Sequence, residues 1–318
     1  MQRIACTGVN QVRRLAVIAN KSAGQGGVLQ TAFRARSQLW GRHCDFFYPN
    51  TISEIRSICS QIDPDQYDGC VVMGGDGTFN QVIRAHDVLP NKVPLFAFPC
   101  GTANDLAKEL GLQANWNQVQ ALMDQQAIKR LDLVEVNGFP FVTVGGLGIG
   151  ARLTSDFNAH RSKSKMTRIL SSHLHSQIYT YLSAKTILFK NNYIHRLRIQ
   201  APDFDEQVRT PAVFLCNQTF LGGGLRVAPK IDNTDTRFNV LIVTTCTKAK
   251  LLNSMARLKA GVLPPNFFVF STDSVLIEDL DGRPIQVFGD GETLCSDSKL
   301  KVRILPKKLL VFQEGAAQ

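Results

Sequence analysis

At 318 residues, 44% of them hydrophobic, the chain is long for a single core and ordinary in composition for a globular protein. No run approaches the roughly 18–20 apolar residues that span a bilayer, and the opening MQRIACTGVNQVRR has no apolar stretch of signal-peptide length, so the sequence predicts a cytoplasmic protein that can touch a membrane from that side. The net charge is +10, and residues 151–200 carry nine Lys/Arg against one acid, Asp156, which points to an anionic partner such as a lipid surface. No helix-turn-helix pattern supports binding to nucleic acid.

The first third alternates short apolar runs with helical patterns. Arg14–Asn20 reads as a strand that ends in the turn-rich Lys21–Gly27, with a helical pattern following to Leu39. His43–Tyr48 reads as a second strand. A helix begins at Ser53, with Ile55, Ile58 and Ile62 at helical spacing. Gly69–Met73 reads as a strand broken by Gly74-Gly75, with a helix from Asn80. Pro94–Phe98 reads as another, broken by Pro99-Cys100-Gly101, with a helix over Asn104–Leu110. Short buried strands each followed by a helix predict a parallel sheet covered on both faces.

Beyond residue 128 the pattern changes. Leu131–Val136 and Phe139–Val144 flank Asn137-Gly138, a hairpin signal. Further β-like runs follow at Ile194–Ile199, Ala212–Cys216, Phe238–Thr245, Phe267–Phe270, Val275–Ile277, Ile285–Phe288 and Leu300–Ile304, interrupted by one long helix over Met166–Phe189. The expected fold class is an α/β N-terminal domain with a parallel, nucleotide-binding sheet, joined to a β-rich, mostly antiparallel C-terminal domain. The eight cysteines are scattered, with no Cys-x-x-Cys pair, and read as buried thiols in a reducing compartment.

Ligands of parallel α/β sheets sit at the carboxyl ends of the strands. Three strand ends carry unusual residues: Asn20-Lys21-Ser22-Ala23-Gly24, Gly74-Gly75-Asp76-Gly77-Thr78, and Pro99-Cys100-Gly101-Thr102-Ala103-Asn104-Asp105. Glycines let a phosphate approach backbone N–H groups, and the positive end of the following helix adds to that anion cradle. Thr78 and Thr102 can donate hydroxyl hydrogen bonds. Asp76 would repel a triphosphate unless a cation lies between them, so the turn implies Mg2+. The segment is neither a Walker A loop nor Gly-x-Gly-x-x-Gly. Phe288-Gly289-Asp290-Gly291-Glu292 is a strand ending in a turn with two acids, which on its own reads more readily as a plain β-turn with exposed acids.

Together GGDGTFNQV (74–82), PCGTANDLAKELG (99–111), NKSAGQG (20–26), GGLGIGA (145–151), GGGLRVAP (222–229) and DGE (290–292) resemble the diacylglycerol kinase catalytic-domain family, in its bacterial soluble lipid kinase branch. GGDGT is shared with NAD kinases, whereas GTANDLA and the late DGE favour the lipid kinases. The resemblance implies a nucleotide-binding domain over residues 12–128, a lipid-substrate domain over 129–298, and a segment, 299–318, returning to the first domain. It implies ATP contacts at Asn20, Lys21, Ser22, Ala23, Gly24, Gly74, Gly75, Asp76, Gly77, Thr78, Phe79, Asn80, Gly101, Thr102 and Asn104. Glu292 is implied as the base for a lipid hydroxyl, and Asp76, Asp105 and Asp290 as the other catalytic carboxylates, with Mg2+.

The resemblance also implies a second, structural Mg2+ held by Asp235 and the carbonyls of Asp232 and Arg237. Here Thr236 replaces the usual Gly of that loop and Asn239 the usual Asp. The basic segment Arg161–Arg168 leads into an amphipathic run suited to packing on the β domain with its charged end toward anionic lipid head groups. An NAD kinase-like phosphotransferase and a non-catalytic nucleotide-binding regulator remain alternatives. The acceptor lipid (diacylglycerol-like, phosphatidylglycerol or sphingoid) and the oligomeric state are not written in the sequence.

Overall fold

The computed structural model describes residues 13–20, 42–85, 92–101, 104–163, 185–188, 193–221, 225–226, 231–244 and 247–315. The expected contacts at Lys21, Ser22, Ala23, Gly24 and Thr102 lie outside these, as do the helical pattern up to Leu39 and nearly all of the expected helix at Met166–Phe189.

The N-terminal domain is built on short strands with apolar centres. β1 (Arg13–Ala19) lies between β2 (Arg42–Phe47) and β3 (Tyr67–Gly74), and β3 pairs with β4 (Leu95–Pro99), all in parallel. Leu15–Ala19 and Cys70–Gly74 are buried throughout, as in a parallel sheet covered on both faces. Helix α1 (Ile52–Gln61) buries Ile55 and Cys59, and its Thr51 hydroxyl caps the Glu54 N–H at 3.2 Å. Helix α2 (Asp76–Arg84) follows β3, and the short α3 (Asp105–Glu109) and then α4 (Trp116–Asp124) follow β4.

The C-terminal half is mostly antiparallel. β5 (Ile128–Val136) and β6 (Phe139–Phe141) form a hairpin whose turn residues, Asn137 and Gly138, have φ of 48° and 87°. The remaining elements are β7 (Val144–Gly148), α5 (Ile149–Lys163), β8 (His195–Ala201), β9 (Phe204–Thr210), β10 (Ala212–Cys216), β11 (Phe220–Leu221), β12 (Leu225–Arg226), β13 (Phe238–Val243), α6 (Lys248–Lys259), β14 (Phe267–Thr272), β15 (Ser274–Asp279), β16 (Ile285–Gly289), β17 (Glu292–Asp297) and β18 (Lys299–Phe312). One sheet runs β14-β13-β10-β7-β16-β17, all antiparallel.

The other sheet continues the N-terminal one, in the order β2-β1-β3-β4-β18-β15-β8-β9. The long β18 makes this possible. Its first residues pair with β15, its penultimate residue Val311 pairs with Leu95 of β4 in parallel, and β5 runs along its other side. Leu309, Val311 and Phe312 thereby enter the N-terminal core, while Leu300 and Val302 belong to the core between the two C-terminal sheets.

Three local differences from the sequence reading have physical causes. The helix expected from Asn80 starts four residues earlier, at Asp76, with Gly75 as its N-cap, so Gly77 and Thr78 belong to its first turn rather than to a loop. The run Phe139–Val144 splits into β6 and the start of β7. The GGLG of β7 has too few side chains to signal a strand, and its bare backbone is what the packing needs: a Cβ on Gly145 would stand 2.7 Å from the Phe141 ring. Helices α4, α5 and α6 occupy stretches that the apolar pattern leaves unassigned.

Candidate active site

The carboxyl ends of β1, β3 and β4 converge through backbone hydrogen bonds. The Asn20 N–H donates to the Met73 carbonyl at 3.1 Å, and the Cys100 and Gly101 N–H groups donate to the Gly74 carbonyl at 2.9 and 3.1 Å. Gly75 and Gly101 meet backbone to backbone, since a Cβ on Gly101 would lie 2.3 Å from the Gly75 Cα. Asn104, at a left-handed φ of 51°, closes its loop by exchanging hydrogen bonds with Gly101 at 3.0 Å in each direction. The Asn20 amide donates to the Thr78 hydroxyl at 2.9 Å. The result is a glycine-floored corner at the N-terminus of α2, where the first N–H groups have no intrahelical acceptor.

Two carboxylates face this corner from the N-terminal domain. Asp76 accepts the Leu106 N–H at 3.3 Å. The protein around it desolvates its carboxyl, although part of its surface stays in contact with water, and the neighbouring Asp105 charge adds repulsion. Together they push Asp76 up to about 6. Two like charges held beside a helix N-terminus are the arrangement a cation relieves, so the donor set fits Mg2+ next to phosphate.

The C-terminal domain contributes the β16–β17 hairpin. Its two-residue turn, Asp290-Gly291, has φ of 51° and 79°, the mirror-image turn favoured in tight hairpins. This turn sends Glu292 onto α2: a Cβ on Gly77 would stand 2.6 Å from Glu292 Oε1. Gly77 is therefore the helix position where the second domain's carboxylate reaches the first domain's phosphate corner.

Asp290 sits differently from the other three carboxylates. It is buried, which pushes its carboxyl up, and it accepts from the Val142 N–H at 3.0 Å, the Thr143 N–H at 2.7 Å, the Thr143 hydroxyl and the Asn80 amide at 2.7 Å. Thr143 and the 142–143 backbone carry no signal that sequence reasoning could have used, since their partner lies 147 residues away. Phe79, expected at the nucleotide, is buried in the N-terminal core. Asn80 is wholly buried against Asp290.

Residues 14–136 match the diacylglycerol kinase catalytic domain, and residues 161–313 match the YegS C-terminal NAD kinase beta sandwich-like domain. The chain is thus similar to the diacylglycerol kinase catalytic domain over its N-terminal part and to the YegS-type domain over its C-terminal part. It is 22% identical over 303 residues to a probable YegS-like lipid kinase of Pseudomonas savastanoi pv. phaseolicola, covering 95% of this chain and 94% of the relative. It is 25% identical over 189 residues to a diacylglycerol kinase of Bacillus subtilis, covering 59% and 58%. In fold it is similar to a crystal structure of a diacylglycerol kinase from Bacillus anthracis str. Sterne, with a TM-score of 0.69 at 16% identity over 98% of this chain and all of that one.

The loop expected to hold the family's second Mg2+ is closed by protein groups. Asp232 accepts the Thr234 N–H and hydroxyl at 3.0 and 2.6 Å, and Asp235 accepts the Arg237 N–H at 2.9 Å. Thr236, where the family has Gly, takes a left-handed φ of 63° and donates its N–H to the buried Asp132 at 2.8 Å. The second Asp132 oxygen accepts the Lys307 N–H at 2.7 Å. Among the described residues no group of three or more His, Cys, Asp or Glu is placed to hold a metal. The Asp232 side chain and one Asp235 oxygen thus accept from the loop's own N–H and hydroxyl groups.

Proposed function

We propose that this protein is an ATP-dependent lipid kinase that transfers the γ-phosphate of ATP to a lipid hydroxyl. The observation that carries this reading is the approach of Glu292 to Gly77, which sets a carboxylate of one domain over the phosphate corner of the other, beside Asp76 and Asp105. Residues 12–128 bind the nucleotide, and 129–298 present the lipid. Within segment 299–318, β18 (Lys299–Phe312) pairs with strands of both.

In this reading the glycines at 74, 75, 77 and 101 let phosphate oxygens reach backbone N–H groups, and the Thr78 hydroxyl, held by Asn20, is a further donor. Mg2+ held near Asp76 and Asp105 would supply charge neutralisation for the triphosphate. Glu292 orients the acceptor hydroxyl and takes its proton as the hydroxyl oxygen attacks the γ-phosphorus. The bond to the β-phosphate oxygen breaks, and ADP leaves. Asp290 acts through position rather than by touching substrate.

An anionic membrane surface suits the charge distribution. Besides residues 151–200, the segment 247–272 holds Lys248, Lys250, Arg257 and Lys259 without an acid, next to exposed Val262 and Leu263. Among the described residues no helix is long and apolar enough to cross a membrane.

A panel tests the reading: purified protein, Mg-ATP, and diacylglycerol, phosphatidylglycerol, ceramide and a sphingoid base in mixed micelles, with NAD as a soluble acceptor. Phosphorylation of one lipid supports it. The NAD kinase-like description of the β domain motivates the NAD arm, and phosphate transfer to NAD alone would replace the lipid reading. Nucleotide binding without transfer to any acceptor would favour the regulator.

A further inference from the structure

We infer that Asn80, paired with Asp290, is a positioning residue that sets the depth of Glu292 in the cleft, and that it does not contact the nucleotide; this rests on Glu292 being the base of a lipid kinase. Asn80 lies three residues after Gly77, on the same side of α2. Its side chain has no exposed surface, and its Nδ2 donates to Asp290 Oδ2 at 2.7 Å across a chain separation of 210 residues. The same Nδ2 lies 3.4 Å from the Pro140 carbonyl, so both neighbours are acceptors and the amide can face only this way.

Asp290 is in turn fixed from its own domain by the Val142 and Thr143 N–H groups and the Thr143 hydroxyl. The hairpin tip is therefore gripped from both sides. Asp290 stands only two residues before Glu292, so any movement of the tip carries the base with it. A second contact between α2 and the β-rich domain, the Arg84 guanidinium 5.2 Å above the Phe139 ring, lies one turn further along the helix. The Asn80–Asp290 bond holds the residue two positions before the base. Asn80 Oδ1 is buried and finds no partner among the described residues, so this amide is held for its donor.

The inference predicts that removing the donor misplaces the base while the nucleotide corner stays intact. Asn80→Ala is expected to lower kcat about 10- to 100-fold, with KM for ATP within about threefold of wild type. The decisive readout is coupling to Glu292. In a Glu292→Ala background, followed by long incubation with labelled ATP, adding Asn80→Ala should change the residual rate by less than about twofold.

An equal fractional loss in both backgrounds overturns the inference, because a general structural role would act whether or not the base is present. A KM for ATP raised about tenfold or more at unchanged kcat also overturns it and makes Asn80 a nucleotide contact. Wild-type turnover by Glu292→Ala alone is a separate result that removes the kinase-base reading itself. If Asn80→Ala does not fold, as judged by its melting curve, Asn80→Ser is carried through the same cycle; it keeps a small polar group but cannot span to Asp290.

Discussion

Asp76 is built at a cost to stability, and replacing it with its neutral isostere should reveal the size of that cost. Its carboxyl is carried from an ordinary 3.8 to about 6, first by desolvation and then by Asp105. Below 3.8 the group is protonated folded and unfolded, and no cost arises. Between 3.8 and 6 the unfolded chain ionises first, so the folded state loses stability as pH rises. Above 6 the loss is complete. At about 1.4 kcal/mol per tenfold change in proton affinity the ceiling is about 3 kcal/mol, and the partial exposure of the residue reduces it to about 1–3 kcal/mol.

Asn at this position keeps an oxygen for the Leu106 N–H and removes the charge. Asp76→Asn should melt about 2–8 °C above wild type at pH 7.5 without Mg2+, and within about a degree of it at pH 3.5. Mg-ATP should raise the wild-type melting temperature more than that of the variant, which in turn should lose most of its turnover. Scanning calorimetry or dye-monitored melting at the two pH values is sufficient. A variant less stable than wild type at pH 7.5 without Mg2+ would refute the reasoning, because Asp76 would then be a structural cap and not a strained ligand.

Other predictions follow from single contacts. Gly77→Ala should lower kcat by about tenfold or more while the protein stays folded, since its Cβ would stand 2.6 Å from Glu292 Oε1 and displace it; steady-state kinetics beside a melting curve check this. Asp132→Asn can satisfy only one of the Thr236 and Lys307 N–H groups and should cost about 1–3 kcal/mol, read as a lower denaturant midpoint. A chelator should leave the melting temperature of nucleotide-free protein unchanged, because the carboxylates of loop 232–237 are taken up by its own N–H groups; a fall of several degrees would place a structural cation there.

The sequence exposed those parts of the site whose signal is local. Glycine clusters at 74–77 and 101 announce a backbone that must come close to something, and buried four- and five-residue runs announce parallel strands. Where α2 begins was obscured because Gly75 and Gly77 lower helix propensity at the very turn that must stay bare. The glycine-rich β7 was hidden for a related reason: side chains carry the strand signal, and this strand excludes them. Glu292 was visible only through family resemblance, since DGE alone is a turn. The Asn80–Asp290 pair was not legible at all, because nothing near either residue says that the two meet across 210 positions. Loop 232–237 kept enough of the family pattern to suggest a metal, whereas the bond from the Thr236 N–H to Asp132 on a distant strand was not legible.

The central claim is that Glu292, brought onto α2 by the hairpin turn, makes the phosphate corner a lipid kinase. Transfer of label from γ-labelled ATP into solvent-extractable lipid, with wild type and Glu292→Gln side by side, tests it directly. The account predicts a phosphorylated lipid from the wild type and a rate about 10²- to 10⁴-fold lower from a variant that melts normally and still binds ATP. Equal incorporation by the two proteins, or label that reaches only a soluble acceptor, would contradict it.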